Sequence, residues 1–137
     1  MKIDTIGRIV TWVLSAYFIV SGLMAALDIN AKLERIGLSA VNDDGRIAFI
    51  LIYTSLMVGI GSAMMLVYFS SKTWRFSLII GGTIICSFIV CRVVGAIMVG
   101  HLSHTQIAFI VTELLELGVI VLIFKMKGSS YVVTNQL

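Results

Sequence analysis

The chain has 137 residues, of which 59% are hydrophobic and only 12% charged, and its mean hydropathy is +1.07. That balance excludes an ordinary water-soluble domain, in which about a quarter of the residues are charged. The formal net charge of +3 does not make a nucleic-acid surface, because the ten Lys and Arg lie thinly spread beside apolar runs.

The first 27 residues, MKIDTIGRIVTWVLSAYFIVSGLMAAL, have the basic start and apolar centre of a signal peptide. The apolar run at 9–27 is long for a signal's core, however, and is expected to stay as a first membrane helix. Three further runs, at 47–70, 76–100 and 105–124, are each long enough to cross a hydrocarbon layer of roughly 30 Å. The chain therefore reads as one all-α domain over 1–137, a polytopic bundle of four transmembrane helices with a single long outer loop at 28–46. Lys2, Arg8, Lys72, Arg75, Lys125 and Lys127 flank one side of the spans, and Lys32, Arg35 and Arg46 the other. The richer side is expected to be cytoplasmic, which puts both termini there.

Within the loop DINAKLERIGLSAVNDDGR, Asp28 or Asn30 can cap a short helix that shows Leu33 and Ile36 to the membrane and stops at Gly37. Asn42, Asp43 and Asp44 supply a cap and favourable charge for the start of the second span. The loop reads equally as a lid over the bundle or as a solvated connector. No proline occurs anywhere, so no span carries a proline kink. Small residues at spacing four, Ser55, Gly59 and Ala63 on the second span and Cys91 and Gly95 on the third, read as helix contacts inside the bundle, as do Ser15 and Gly22 on the first. Cys86 and Cys91, five apart on one helix, fall on roughly opposite faces and read as small packed residues. Trp12 and Trp74 read as interfacial anchors, and the tail GSSYVVTNQL as a frayed end.

The chemistry concentrates in CRVVGAIMVGHLSHTQIAFIVTELLE, residues 91–116, where Arg92, Glu113 and Glu116 sit inside two apolar runs joined by a short turn. Arg92 lies about ten residues before the turn centre and Glu113 about ten after it, so at 1.5 Å per residue both reach the same depth. Each unpaired charge near a span's centre costs roughly 2.5–3.5 kcal/mol on an insertion scale, so Arg92 and Glu113 are expected to pair through a bidentate contact, with Glu116 the closer carboxylate if the turn shifts by one residue. Glu116 shares the face of Glu113 almost a turn deeper, and is the carboxylate expected to take up a proton. Tyr53 and Arg46 share a face of the second span, Tyr17 and Ser21 lie at similar depth on the first, and His101 and His104 flank the turn. Together these suggest a polar funnel opening outward. The two histidines have no third ligand beside them in sequence, so no metal site is expected.

The segment GRIAFILIYTSLMVGIG after an acidic loop, CRVVGAIMVGH, and the Glu of IVTELLELG resemble a family of small bacterial four-helix membrane proteins of unknown function, allied to the DoxX-like group. The resemblance covers nearly the whole chain and implies that Arg46, Arg92 and Glu113 occupy that family's polar positions. It departs from the family pattern at Phe49, Leu51 and Tyr53, and at His101, where the family has an acidic residue. The expected setting is a bacterial cytoplasmic membrane. Three functions stay open: a non-catalytic module or accessory subunit binding a small polar or lipid-like ligand at Arg92, Glu113, Glu116, Tyr53, Arg46 and His101; a proton-linked small transporter working as an oligomer, with Glu116 titrating; and a quinone-linked redox protein, which the resemblance alone implies. The sequence names no cofactor, showing neither a cofactor motif nor paired redox cysteines, and homo-oligomers and larger membrane complexes are both compatible with it.

Overall fold

Hydrocarbon offers a backbone no water to bond with, so a chain that crosses it must satisfy its own amides, and a helix does this within one segment. The computed structural model, which describes residues 3–134 with side chains as far as Lys127, is built in this way throughout. Its helices are α1 (Ile3–Leu27), α2 (Ile29–Ile36), α3 (Asp43–Ser71), α4 (Trp74–Val99) and α5 (His104–Thr134), with no strand among the described residues. All but α2 are long and apolar enough to cross a membrane, which makes the protein an all-α polytopic bundle.

Local signals explain where these helices begin and end. Asp28 accepts a hydrogen bond from the Ala31 amide at 3.0 Å to start α2, which stops at Gly37 with φ +76°, a left-handed conformation that glycine adopts without strain. Asn42 accepts from the Gly45 amide at 2.8 Å to start α3, with Asp43 and Asp44 in its first turn. Thr73 caps α4, and Gly100 (φ +72°) closes it. Although no proline interrupts α3, its hydrogen bonding widens to a π turn over Ile50–Thr54. The backbone of α5 continues through the tail to Thr134, where the sequence suggests fraying. Residues 135–137 lie outside the described residues, as do Met1 and Lys2.

The four spans run up and down in sequence. One end of the bundle carries both termini and the α3–α4 turn; the other, the lid end, carries α2 and the α4–α5 turn. The closest pairing is α1 against α3. The inward stripe of α1 is Gly7, Thr11, Ser15, Phe18, Gly22 and Ala25, spaced by three and four as helix packing requires. A Cβ on Gly61 of α3 would fall 2.6 Å from the Ser15 carbonyl oxygen, and one on Gly22 would fall 3.0 Å from that of Thr54. Both positions thus depend on the missing side chain. Thr11 donates to the Gly7 carbonyl at 2.8 Å, so its buried hydroxyl is satisfied within its own helix.

Several expected contacts resolve differently. Ser15 and Gly22 do face α3, but Ser55, Gly59 and Ala63 are exposed, and nothing lies within 4 Å of a Cβ built on Gly59 or Gly95. The inward face of α3 uses Gly61, Ile60 and Met64 instead. Cys86 and Cys91 are not packed in the bundle: both are exposed and line one open groove between α4 and α5. Trp12 is half-exposed beside Tyr68 and Phe69, whereas Trp74 is only 3% exposed and lies on Gly7 and Phe124. It is therefore a core residue, and its indole N–H donates to Asp4 at 3.0 Å. Around it Met64, Leu78, Ile85, Ile120 and Ile123 form the apolar core, which fills the half of the bundle nearer the termini.

Candidate functional site

The lid half is organised around Arg92. Its Nε–H donates to both carboxylate oxygens of Glu113, at 3.0 and 3.2 Å, and its Nη1 donates to the side-chain oxygen of Gln106. The guanidinium also lies over the Phe109 ring, 4.7 Å from its centroid. The contact with Glu113 is thus one N–H shared between two oxygens, in place of the expected two-pronged fork, because the second prong is turned to Gln106. All three partners come from one stripe of α5, at positions 106, 109 and 113, and Glu116 continues that stripe. Arg92 therefore ties α4 to α5 through a single face.

Depth makes this arrangement costly to leave unpaired. Glu113 lies nine residues into α5, about 13 Å from its start, and Glu116 about 18 Å, near the middle of a hydrocarbon layer. The Glu113 side chain is 11% exposed and that of Arg92 28%. An arginine stays protonated under such conditions, so its neutralisation has to come from the neighbouring carboxylate.

Beside the pair is a partly open cavity of about 60 Å³, room for a few water-sized groups. Its polar lining comes from Tyr17 and Ser21 on α1, Arg92 on α4, and Thr112, Glu113 and Glu116 on α5. The Thr112 hydroxyl is already spent on the Ala108 carbonyl at 2.9 Å. Glu116 makes no hydrogen bond or ion pair among the described residues, and it reaches a second space as well: an open groove of about 310 Å³ between α1 and α5. Tyr17 borders both spaces too.

Helix α2 folds back onto the bundle beside Ser21. Leu33 is buried, and Lys32 bends back so that its Nζ donates to the Ser21 hydroxyl at 3.3 Å and lies 4.9 Å from the centre of the Tyr53 ring. Tyr53 stacks on Phe49, with ring centres 5.1 Å apart, and does not line the cavity. Arg46 turns to Asp43 at 3.5 Å with its side chain half-exposed, and His101 is exposed in a separate open groove beside Val93 and Ile97. The structure therefore brings together Arg92, Glu113 and Glu116, with Tyr17 and Ser21, and leaves Tyr53, Arg46 and His101 outside. In place of the wider polar set expected from depth alone, the cavity gathers these five residues, with Lys32 reaching one of them, Ser21.

Gln106, Phe109 and Lys32 are the participants that sequence reasoning passes over. The first two were legible as members of the 106–109–113–116 stripe, but an uncharged amide and a ring carry no cost signal of their own. Lys32 reads as a flanking cation until α2 is folded back. At the α1–α3 contact, Ser15 Oγ and Thr54 Oγ1 are buried without a hydrogen bond among the described residues. Comparison of the chain with protein-family models, with curated proteins and with solved structures finds no match.

Proposed function

We propose that this protein is a small-ligand-binding module of a bacterial cytoplasmic membrane, acting alone or as an accessory subunit, with both termini on the cytoplasmic side. The orientation rests on the six-to-three distribution of flanking Lys and Arg. Kinship with the DoxX-like group is part of the proposal, carried by Arg46, Arg92 and Glu113.

The observation that carries the reading is Glu116: a carboxylate deep in the spans with no hydrogen bond or ion pair among the described residues, facing a polar cavity whose lining cation, Arg92, is already engaged by Glu113 and Gln106. Ionisable groups at that depth are expensive and commonly mark a site. A pair whose sole work is to hold a hairpin needs neither the cavity nor a second carboxylate. The reading assigns no bond-making step.

Native mass spectrometry of the protein released from lipid nanodiscs tests it. Wild type should retain a small non-protein mass that is lost in Ser21→Leu, which fills the cavity and leaves the Arg92 pair untouched. Identical masses for the two would refute the reading. A second reading, proton-linked transport by an oligomer, is favoured by the same carboxylate; it requires that Glu116→Gln abolish substrate-driven proton movement in proteoliposomes.

A further inference from the structure

Resting on the reading of the cavity as a ligand site, we infer that the ligand enters sideways from the bilayer, between α1 and α5, and is a single-chain amphipath with a small cationic headgroup. Two spaces meet at Tyr17 and Glu116. On one side is the polar cavity of about 60 Å³; on the other is the groove of about 310 Å³, whose remaining lining, including Val10, Val13, Val119 and Ile120, is apolar. The groove runs from Tyr17 back to Val10, about 10 Å along α1, toward the termini end. A molecule matching both spaces has a compact polar head at Glu116 and one hydrocarbon chain along the groove. A bulky head would exceed the cavity.

The sign of the head follows from what is already paired. Arg92 is neutralised by Glu113, so the unmatched acidic group at the junction is Glu116, which gives up its proton when a cationic head supplies the counter-charge. An anionic head at Glu116 would meet two acidic groups, and the further cation nearby, Lys32, is turned to Ser21 and Tyr53 and does not line the groove. An alcohol brings a single donor. A primary ammonium brings three donors and a full charge, with Glu116 and the Tyr17 hydroxyl as acceptors and the Tyr17 ring as a further attractive surface. The larger groove between α4 and α5 contains no ionised side chain, its polar members being Thr83, Ser87 and the two cysteines, so it offers an alkyl chain no counter-charge.

The test is photo-crosslinking of the full-length protein in zwitterionic nanodiscs, using a twelve-carbon primary amine with a mid-chain diazirine, and mapping the labelled peptides. The amine should label α1 around residues 10–13 and α5 around 119–120, be competed by unlabelled dodecylammonium, and lose at least about tenfold in Glu116→Gln, the order expected when a buried charge partner is removed. The matching carboxylic acid probe should label these positions far less. Equal labelling by the acid, unchanged labelling in Glu116→Gln, or labelling confined to the α4–α5 groove would overturn the inference. If the amine fails in any of these ways while the Ser21-dependent mass persists, the lateral cationic route falls and the ligand-site reading stands; if that mass is absent as well, both fall.

Discussion

Among the described residues two ion pairs join one helix of this bundle to another, and they work in different solvents. At the termini end, Lys127 Nζ lies 2.6 Å from each oxygen of Asp4, which also accepts from the Trp74 indole, tying α1, α4 and α5 together. Asp4 is half-exposed there, so water shares its charge. In the lid half, Arg92 and Glu113 are similarly spaced but mostly withdrawn from solvent, at a depth where hydrocarbon is the alternative environment. The packing around them differs in the same sense. The termini half is filled, with Met64 and Leu78 wholly buried and Trp74 seated on Gly7, whereas the lid half holds a polar cavity. The first pair is a clasp on a finished core; the second neutralises charge beside a space left open.

The comparison breaks most directly at Arg92. Arg92→Ala leaves Glu113 buried without its cation and should cost about 3–5 kcal/mol, measured by reversible SDS unfolding in mixed micelles. Lys127→Met removes the corresponding cation from the other pair, yet should cost about 1 kcal/mol or less, since Asp4 remains half in water and keeps its bond from Trp74. Equal costs would mean that depth does not distinguish the two pairs.

Two intermediate effects sharpen the contrast. Gln106→Leu removes the acceptor for Arg92 Nη1 and should cost about 1.5–3 kcal/mol, the range for a hydrogen bond to a charged group. Gly7→Leu tests the filled half. A Cβ there would lie 2.4 Å from the Trp74 ring, so the indole must move, at about 1–3 kcal/mol in the same unfolding assay. Gly59→Leu, on the outward face of α3 with nothing within 4 Å, should stay within about 0.5 kcal/mol of wild type. It is the control that separates overpacking from a change in helix propensity.

The pair at the centre of the site was legible before any coordinates because charge in a membrane has so few solutions. With one arginine inside the apolar runs and two glutamates on the adjoining one, equal distances from a short turn favoured Glu113 over Glu116 without excluding the latter, and the structure joins Arg92 to Glu113 at 3.0 Å. The same arithmetic misled for Arg46 and Tyr53. It fixes how deep a side chain lies but not which way it points, and these two turn toward Asp43 and toward Phe49 and Lys32.

What the sequence determined by itself was local or set by the solvent: that the chain crosses a membrane, where α2 starts and stops, and that Arg92 had to find a carboxylate. Hydropathy, caps and desolvation act residue by residue, so no distant contact is needed to read them. Tertiary structure alone decided which faces meet. In a lipid-solvated bundle the helices are apolar on every side, so no hydrophobic stripe separates inside from outside, and Gly61 and Gly59, two residues apart on α3, look alike until α1 packs against the first. For the same reason only the assembled bundle buries Trp74, exposes the cysteines, folds Lys32 over Ser21 and leaves Glu116 at the gap between α1 and α5.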